Sequence, residues 1–457
     1  MSMLQLISDE PCLDIEHLPE RKRLIEQIAH AVANSDPPLV VGVHGDWGSG
    51  KTSFLHALQY HLSGRCPQNP AAGEGGVAHP HIVPIWFEAW RYQHESAPVV
   101  ALLHEIRSQL SFGQKFLTSA GKMSEVAIRG ALMSIEDVTK KIGFQASKIQ
   151  EAGEAWEREN LATALPSAQL REFLDEALGK LLGEEEDSGK DRRLVVFIDD
   201  LDRCEPETAY RLLESLKVYL NLRRCVFVLG LNQREVERAL AKVMPSNRNG
   251  SADLMIRAHE YLEKICANVW HLPLVSPAAQ ETLLREWLGD QLDDEFIEAV
   301  IALLHAHQFL PANARRIKAF ANALLRLYQS GVNDETSTAP SSSDAPLMCI
   351  IACLQQFHPR LWRHVESEPG FFFELHGFAR GSDKKARLGP GQIYENSYLH
   401  PELAALELPG EGKVGQQGSV EFETRFTDLA YGNVLHCQRL VANAGVNLND
   451  LKTFLGH

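Results

Sequence analysis

Apolar and polar positions along this chain follow two rhythms, and their order predicts an α/β protein. From Asp14 to Asn34 the apolar residues Leu18, Ile25, Ile28, Ala29 and Val32 recur at helical spacing, and Pro37 and Pro38 stop the pattern. Leu39-Val40-Val41-Gly42-Val43 is an unbroken apolar run of the kind a buried parallel strand shows. Helical periodicity returns over Ser53 to Leu62, and a Gly/Pro-rich loop spans Gly64 to His81. Ile82 to Phe87 is a second strand-like run, and Val99 to Leu110 is helical again. Residues from about 112 to 183 are rich in Ala, Glu, Lys and Gln without strand signals, which predicts a helical insertion. Glu184 to Lys190 reads as a charged, solvated loop. Leu194 to Ile198 and Cys225 to Leu229 are further strands, separated by a helix over Glu207 to Leu220. Strand, helix, strand in this order means a parallel sheet with helices on its faces. After Pro273 the chain reads as helical to Tyr328. Ser330 to Pro346 has linker composition. Residues 347–457 mix helix with Gly/Pro-rich segments and form an accessory C-terminal region.

Composition adds boundaries rather than detail. With 457 residues, 44% hydrophobic and 23% charged, the chain is long enough for two or three domains and needs no disulfide or metal to hold a core. The eight cysteines are scattered with no CxxC pair; Cys349 and Cys353 lie in an apolar helical run and are read as buried thiols. The net charge of -15 works against broad coating of nucleic acid. No stretch approaches the roughly eighteen apolar residues of a membrane helix, so a cytoplasmic protein with no membrane partner is expected.

The chemistry is announced by Gly45-Asp46-Trp47-Gly48-Ser49-Gly50-Lys51-Thr52, which follows a predicted strand, opens a predicted helix with Ser53, and fits GxxxxGK[ST]. Its glycines let consecutive backbone amides point at phosphates, and the helix adds its positive end. Lys51 is expected to reach the β- and γ-phosphates and the Thr52 hydroxyl to ligate magnesium. A second carboxylate on a neighbouring strand is then required. Asp199, at the carboxyl end of Leu194-Val195-Val196-Phe197-Ile198, supplies it. Asp200 is placed either to deprotonate the attacking water or to serve behind the metal.

Four segments together resemble the KAP family of P-loop NTPases, relatives of the STAND-type ATPases. They are the phosphate loop with its internal Trp47; Trp86-Phe87-Glu88-Ala89-Trp90-Arg91-Tyr92, where the family often has Asn or Asp in place of Glu88; Ile198-Asp199-Asp200-Leu201-Asp202-Arg203; and Tyr261-Leu262-Glu263-Lys264-Ile265 running to Leu272-Pro273. A fifth segment, Asn313-Ala314-Arg315-Arg316-Ile317-Lys318, resembles the family's helical-lid signature, with Ala314 where proline is usual. The resemblance implies a nucleotide domain over residues 1–272, a helical lid over 273–329, and ATP with Mg2+ as cofactors. The sequence agrees to the extent that no [NT]KxD segment is present to read guanine.

Several secondary residues carry two readings each. Asn232 is either a polar sensor of the γ-phosphate or a helix cap. Arg315 or Arg316 reaches the γ-phosphate from the lid, or both lie on a solvated face. Arg203 pairs with Asp202 or Asp199, or acts across a subunit interface. Trp86, Trp90 and Tyr92 read as packing. The compact basic group Arg380, Lys384, Lys385 and Arg387 is a solvated loop or a contact to a phosphate backbone. The expected activity is Mg-dependent ATP hydrolysis used as a switch on a protein partner or effector subunit. The family resemblance adds a setting in bacterial antiphage defence. The alternatives are a nucleic-acid-stimulated motor or loader and an ATP-dependent homo-oligomeric scaffold.

Overall fold

The computed structural model describes residues 18–64, 81–94, 192–219, 223–244, 251–333 and 340–372, with isolated positions among 5–10, at 79, 102–109 and 182, and among 375–376 and 437–452. Apart from Leu182, the expected helical insertion lies outside the described residues, as does the Arg380–Arg387 group. The chain divides into two compact units, one formed by Pro11–Pro273 and the other by Leu274–His457 with Met1–Glu10.

The first unit begins with helix α1 (Pro19–Asn34) and strand β1 (Leu39–His44), followed by α2 (Lys51–Ser63) and β2 (Ile82–Glu88). Strand β3 (Arg193–Asp199), α3 (Pro206–Tyr219), β4 (Cys225–Leu231), α4 (Gln233–Val243), α5 (Ser251–Ile265) and β5 (Asn268–His271) complete it. All the pairings are parallel, in the order β2-β3-β4-β1-β5. The four longer strands fall where the apolar runs predict them. The fifth was not foreseen, because its four residues are only half-buried or exposed and carry no periodicity to read.

Strand side chains alternate between two cores. Val41, Val43, Val195, Phe197, Val226 and Val228 pack with α1 and α2 on one face. Leu194, Val196, Ile198, Phe227, Leu229 and Leu231 pack with α3, α4 and α5 on the other. All seven residues of β4 are buried, as expected of the central strand. Burial on this scale, at about 1.5–3 kcal/mol for each large apolar side chain, fixes where the strand ends lie. The site is assembled at those ends.

The strand order corrects one expectation. The carboxylate strand β3 does not neighbour the phosphate-loop strand β1; β4 lies between them. Asp199 comes within reach of the loop all the same, through Thr52 on the first turn of α2. Interposing β4 also puts the residue that follows it, Asn232, between the loop and Asp199.

The second unit contains α6 (Pro277–Leu288), α7 (Asp294–His307), α8 (Ala314–Asn333), α9 (Ala345–Phe357), α10 (Pro359–Ser367) and α11 (Gln438–Asn443). Ala314 occupies the first helical position of α8, where proline is common. The Asn313 side chain accepts from the Arg316 backbone N–H at 3.2 Å, so the helix start is held without proline. Within the linker-like stretch, α8 continues to Asn333, and Ser341 with Asp344 forms a capping box ahead of α9. Helix α9 is buried from Leu347 through Leu354, Cys349 and Cys353 included, which makes it the centre of this unit. Residues before Glu10 also belong here: the Ile7 N–H donates to Asn322 Oδ1 at 2.8 Å, and Asn322 Nδ2 donates back to the Ile7 carbonyl at 3.1 Å. Among the described residues, no helix is long and apolar enough to cross a membrane.

Candidate functional site

The turn from β1 into α2 is shaped by its glycines. Gly48 and Gly50 take positive φ values of 76° and 90°, which an L side chain rarely adopts. Lys51 and Thr52 then stand on the first turn of α2. Although a lysine is rarely buried, Lys51 is only 7% exposed. Its ammonium donates to the Gly45 carbonyl at 2.8 Å and meets Asp202 Oδ2 at 3.3 Å. The Trp47 indole N–H donates to the same oxygen at 3.0 Å while its ring stays exposed. Asp202 thus anchors both Lys51 and Trp47, a role that sequence spacing did not reveal.

The structure brings Thr52 and Asp199 together, with the Thr52 hydroxyl donating to Asp199 Oδ2 at 2.7 Å. Asp199 is 1% exposed. Burial, reinforced by the Asp200 charge and opposed by the Thr52 hydrogen bond, lifts its carboxyl to about 6. Its other oxygen, Oδ1, is buried without a hydrogen-bond partner, and so are Asn232 Oδ1 and Ser49 Oγ. Buried oxygens are seldom left unpaired. A hydroxyl, a carboxylate and partnerless oxygens beside a phosphate loop are the hard donor set that magnesium takes, usually with only one or two protein carboxylates. The residues present therefore fit magnesium with a nucleotide phosphate. Gly230 keeps this space open, since a β-carbon there would lie 2.8 Å from Asp199 Oδ1 and 2.6 Å from Leu55 Cδ1.

Asp200 sits in the left-handed region at φ 59°, which Asp tolerates better than most residues. Its carboxylate is held by Arg203 at 2.9 Å, so Arg203 pairs with Asp200 and not with Asp202 or Asp199. Burial raises the Asp200 carboxyl, and Arg203 opposes the shift. One strand over, Glu88 stands in register with Asp199 and pairs with Arg91 at 2.5 Å.

Asn232 occupies the helix-cap position of α4, yet its side chain makes no cap bond. Its amide points instead to Asp46 Oδ1 at 3.5 Å, inside the phosphate loop. His44, unremarked in the sequence, accepts the Gln233 N–H on Nδ1 at 3.0 Å and so fastens the start of the loop to the start of α4. Arg21 is a second residue the sequence did not offer: its guanidinium lies beneath the loop and donates to the Ser49 carbonyl at 2.6 Å. Trp86 packs against His56 and Phe197, and Tyr92 stacks on Phe87. Trp90, expected to pack, is 48% exposed. Arg315 and Arg316 are exposed on the first turn of α8, in the second unit.

A family model described as the KAP family P-loop domain matches residues 21–330. The chain is also similar to a phage T7 exclusion protein of Escherichia coli, 23% identical over 403 residues. That alignment covers 80% of this chain and 49% of the relative, so the chain spans about half of that protein's length. Two solved Aeropyrum pernix proteins align over most of the chain. One is ORC1 in complex with DNA, with 14% identity, TM-score 0.34, and 90% of this chain and 82% of that one covered. The other is ORC2 in ADPNP–ADP complexes, with 11% identity, TM-score 0.36, and 94% and 88% covered.

Proposed function

Because the chain belongs to the KAP family of P-loop NTPases, we propose that it binds ATP with magnesium, hydrolyses it, and uses the cycle as a switch on a protein partner in the cytoplasm. The observation that carries this reading is the Thr52–Asp199 hydrogen bond beside a buried, partnerless Asp199 oxygen, directly after a glycine loop that holds Lys51. The backbone amides of residues 46–51 receive the phosphates, and the Ser53 N–H extends the same helix end. Lys51 exchanges Asp202 for the β- and γ-phosphates. Thr52 and Asp199 hold the metal, which when bound neutralises charge on the phosphate oxygens. Asp200, raised by burial, accepts the proton of the attacking water. Asn232 donates its amide toward the γ-phosphate. One of Arg315 and Arg316 supplies positive charge from the helical unit, as the family resemblance implies. A relative named as a phage exclusion protein supports a place in defence against phage.

The test is phosphate release from ATP and from GTP with magnesium, by the wild type beside Lys51→Ala and Asp199→Ala. ATP-selective turnover that both substitutions abolish is the expected result. A wild type that binds no ATP overturns the proposal. The defence role is tested by phage plating on cells carrying the wild type or Lys51→Ala; equal plating on both counts against it.

A further inference from the structure

Arg21 is buried to 4% exposure on the first turn of α1. Its guanidinium donates to the Ser49 carbonyl at 2.6 Å and to the Pro273 carbonyl at 3.4 Å, where the chain leaves this unit. It also lies under Gly50, where a β-carbon would come within 2.8 Å of Arg21 Nη1. Both acceptors are neutral carbonyls, and among the described residues no carboxylate forms an ion pair with it. The next residue in the loop, Lys51, is another cation.

Two features of this placement work against the stability of the protein. A buried charge without a counter-charge is costly. Burial accordingly lowers the guanidinium's affinity for its proton. The first turn of a helix also carries the positive end of the dipole, which favours acids over bases. A cation kept under both conditions, in contact with a loop built to receive phosphates, is suited to an anion that arrives only with the ligand.

We infer that Arg21 belongs to the nucleotide site: the polyphosphate of the bound nucleotide is the counter-charge for its buried guanidinium, which also braces Ser49 and Gly50 from beneath. This rests on the reading of the loop as an ATP site. Arg21 acts through the loop and through its field, as a positioning residue. Its contribution therefore scales with the negative charge of the ligand.

The test measures affinities of the full chain for ATP, ADP, AMP and adenosine, together with the melting temperature of the ligand-free protein. The wild type, Arg21→Gln, Arg21→Lys and Lys51→Ala are compared. Arg21→Gln keeps a hydrogen-bond donor without the charge, and Arg21→Lys keeps the charge without the fork. The expected result for Arg21→Gln is a loss of at least about tenfold for ATP, smaller for ADP, smaller again for AMP and absent for adenosine. The ligand-free protein should melt within about 3 °C of wild type, and Arg21→Lys should recover most of the lost affinity. Should Arg21→Gln not fold, Arg21→Met, which also removes the charge, decides in its place: a loss graded with ligand charge supports the inference and a uniform one overturns it. A sharp fall in melting temperature with ATP affinity unchanged makes Arg21 purely structural and overturns it too. Lys51-dependent ATP binding that survives in Arg21→Gln sinks this inference while leaving the ATP site intact; no ATP binding by the wild type sinks both.

Discussion

Replacing Gly230 by alanine would place one methyl group against the Asp199 carboxylate, the proposed metal ligand. That carbon would stand 2.8 Å from Asp199 Oδ1 and 2.6 Å from Leu55 Cδ1, with the Ile198 carbonyl at 3.6 Å. Leu55 is fully buried, and Asp199 is fixed on its other oxygen by Thr52, so neither gives way freely. Overpacking of this kind costs about 1–3 kcal/mol, a fall in melting temperature of about 2–12 °C for a unit of this size. Gly42→Ala is the matched control. A β-carbon there meets Cys266 Sγ at 2.8 Å and Val269 Cγ2 at 3.3 Å, also too tight but slightly less so, and on the β1–β5 side of the sheet. Both variants should lose stability, Gly42→Ala somewhat less, read from urea midpoints. Only Gly230→Ala should also raise the magnesium concentration needed for half-maximal ATP turnover, by about tenfold or more, with metal-free nucleotide binding little changed. Equal magnesium requirements in the two variants would refute the idea that Gly230 keeps the space around Asp199 Oδ1.

Three further outcomes are expected. Burial against Trp86 holds the His56 ring neutral and lowers it to about 4 from the ordinary 6.5. Between those values the unfolded chain binds a proton that the folded chain refuses. The stability His56 contributes is therefore present above about pH 6.5 and lost as pH falls through 4, about 3 kcal/mol in all. His56→Phe should lose about 2 kcal/mol less than wild type between pH 7 and pH 5 in urea titrations; parallel losses would mean that His56 is charged in the fold. Asn232→Ala should slow turnover at least about tenfold with the melting temperature nearly unmoved, because the side chain makes no cap bond; lowered stability with normal turnover would restore the capping role. ATP that draws Lys51 from Asp202 should disturb the Trp47 indole sharing that oxygen. A fluorescence change on binding should follow, lost in Trp47→Phe; its persistence in Trp47→Phe would place the change elsewhere.

The sequence alone was enough for whatever depends on near neighbours in the chain. Strands β1 to β4 were legible because buried parallel strands are continuous apolar runs. The phosphate loop was legible because curling a backbone around phosphate needs glycines at set intervals before a helix. Asp199 followed, as the first charge after a buried strand. The tertiary structure decided everything that joins distant segments. It set β4 between β1 and β3, and so turned Asn232 toward Asp46 and away from its own helix. It gave Arg203 to Asp200 and Asp202 to Lys51, choices among acids that adjacent positions cannot rank. It placed Arg21, which helical spacing sets on the apolar face between Leu18 and Ile25, beneath a loop 28 positions further on and beside a carbonyl 252 positions away. Periodicity reports which face of an element is buried. Which charge lies in that face, and what it meets there, depends on how the strands are ordered.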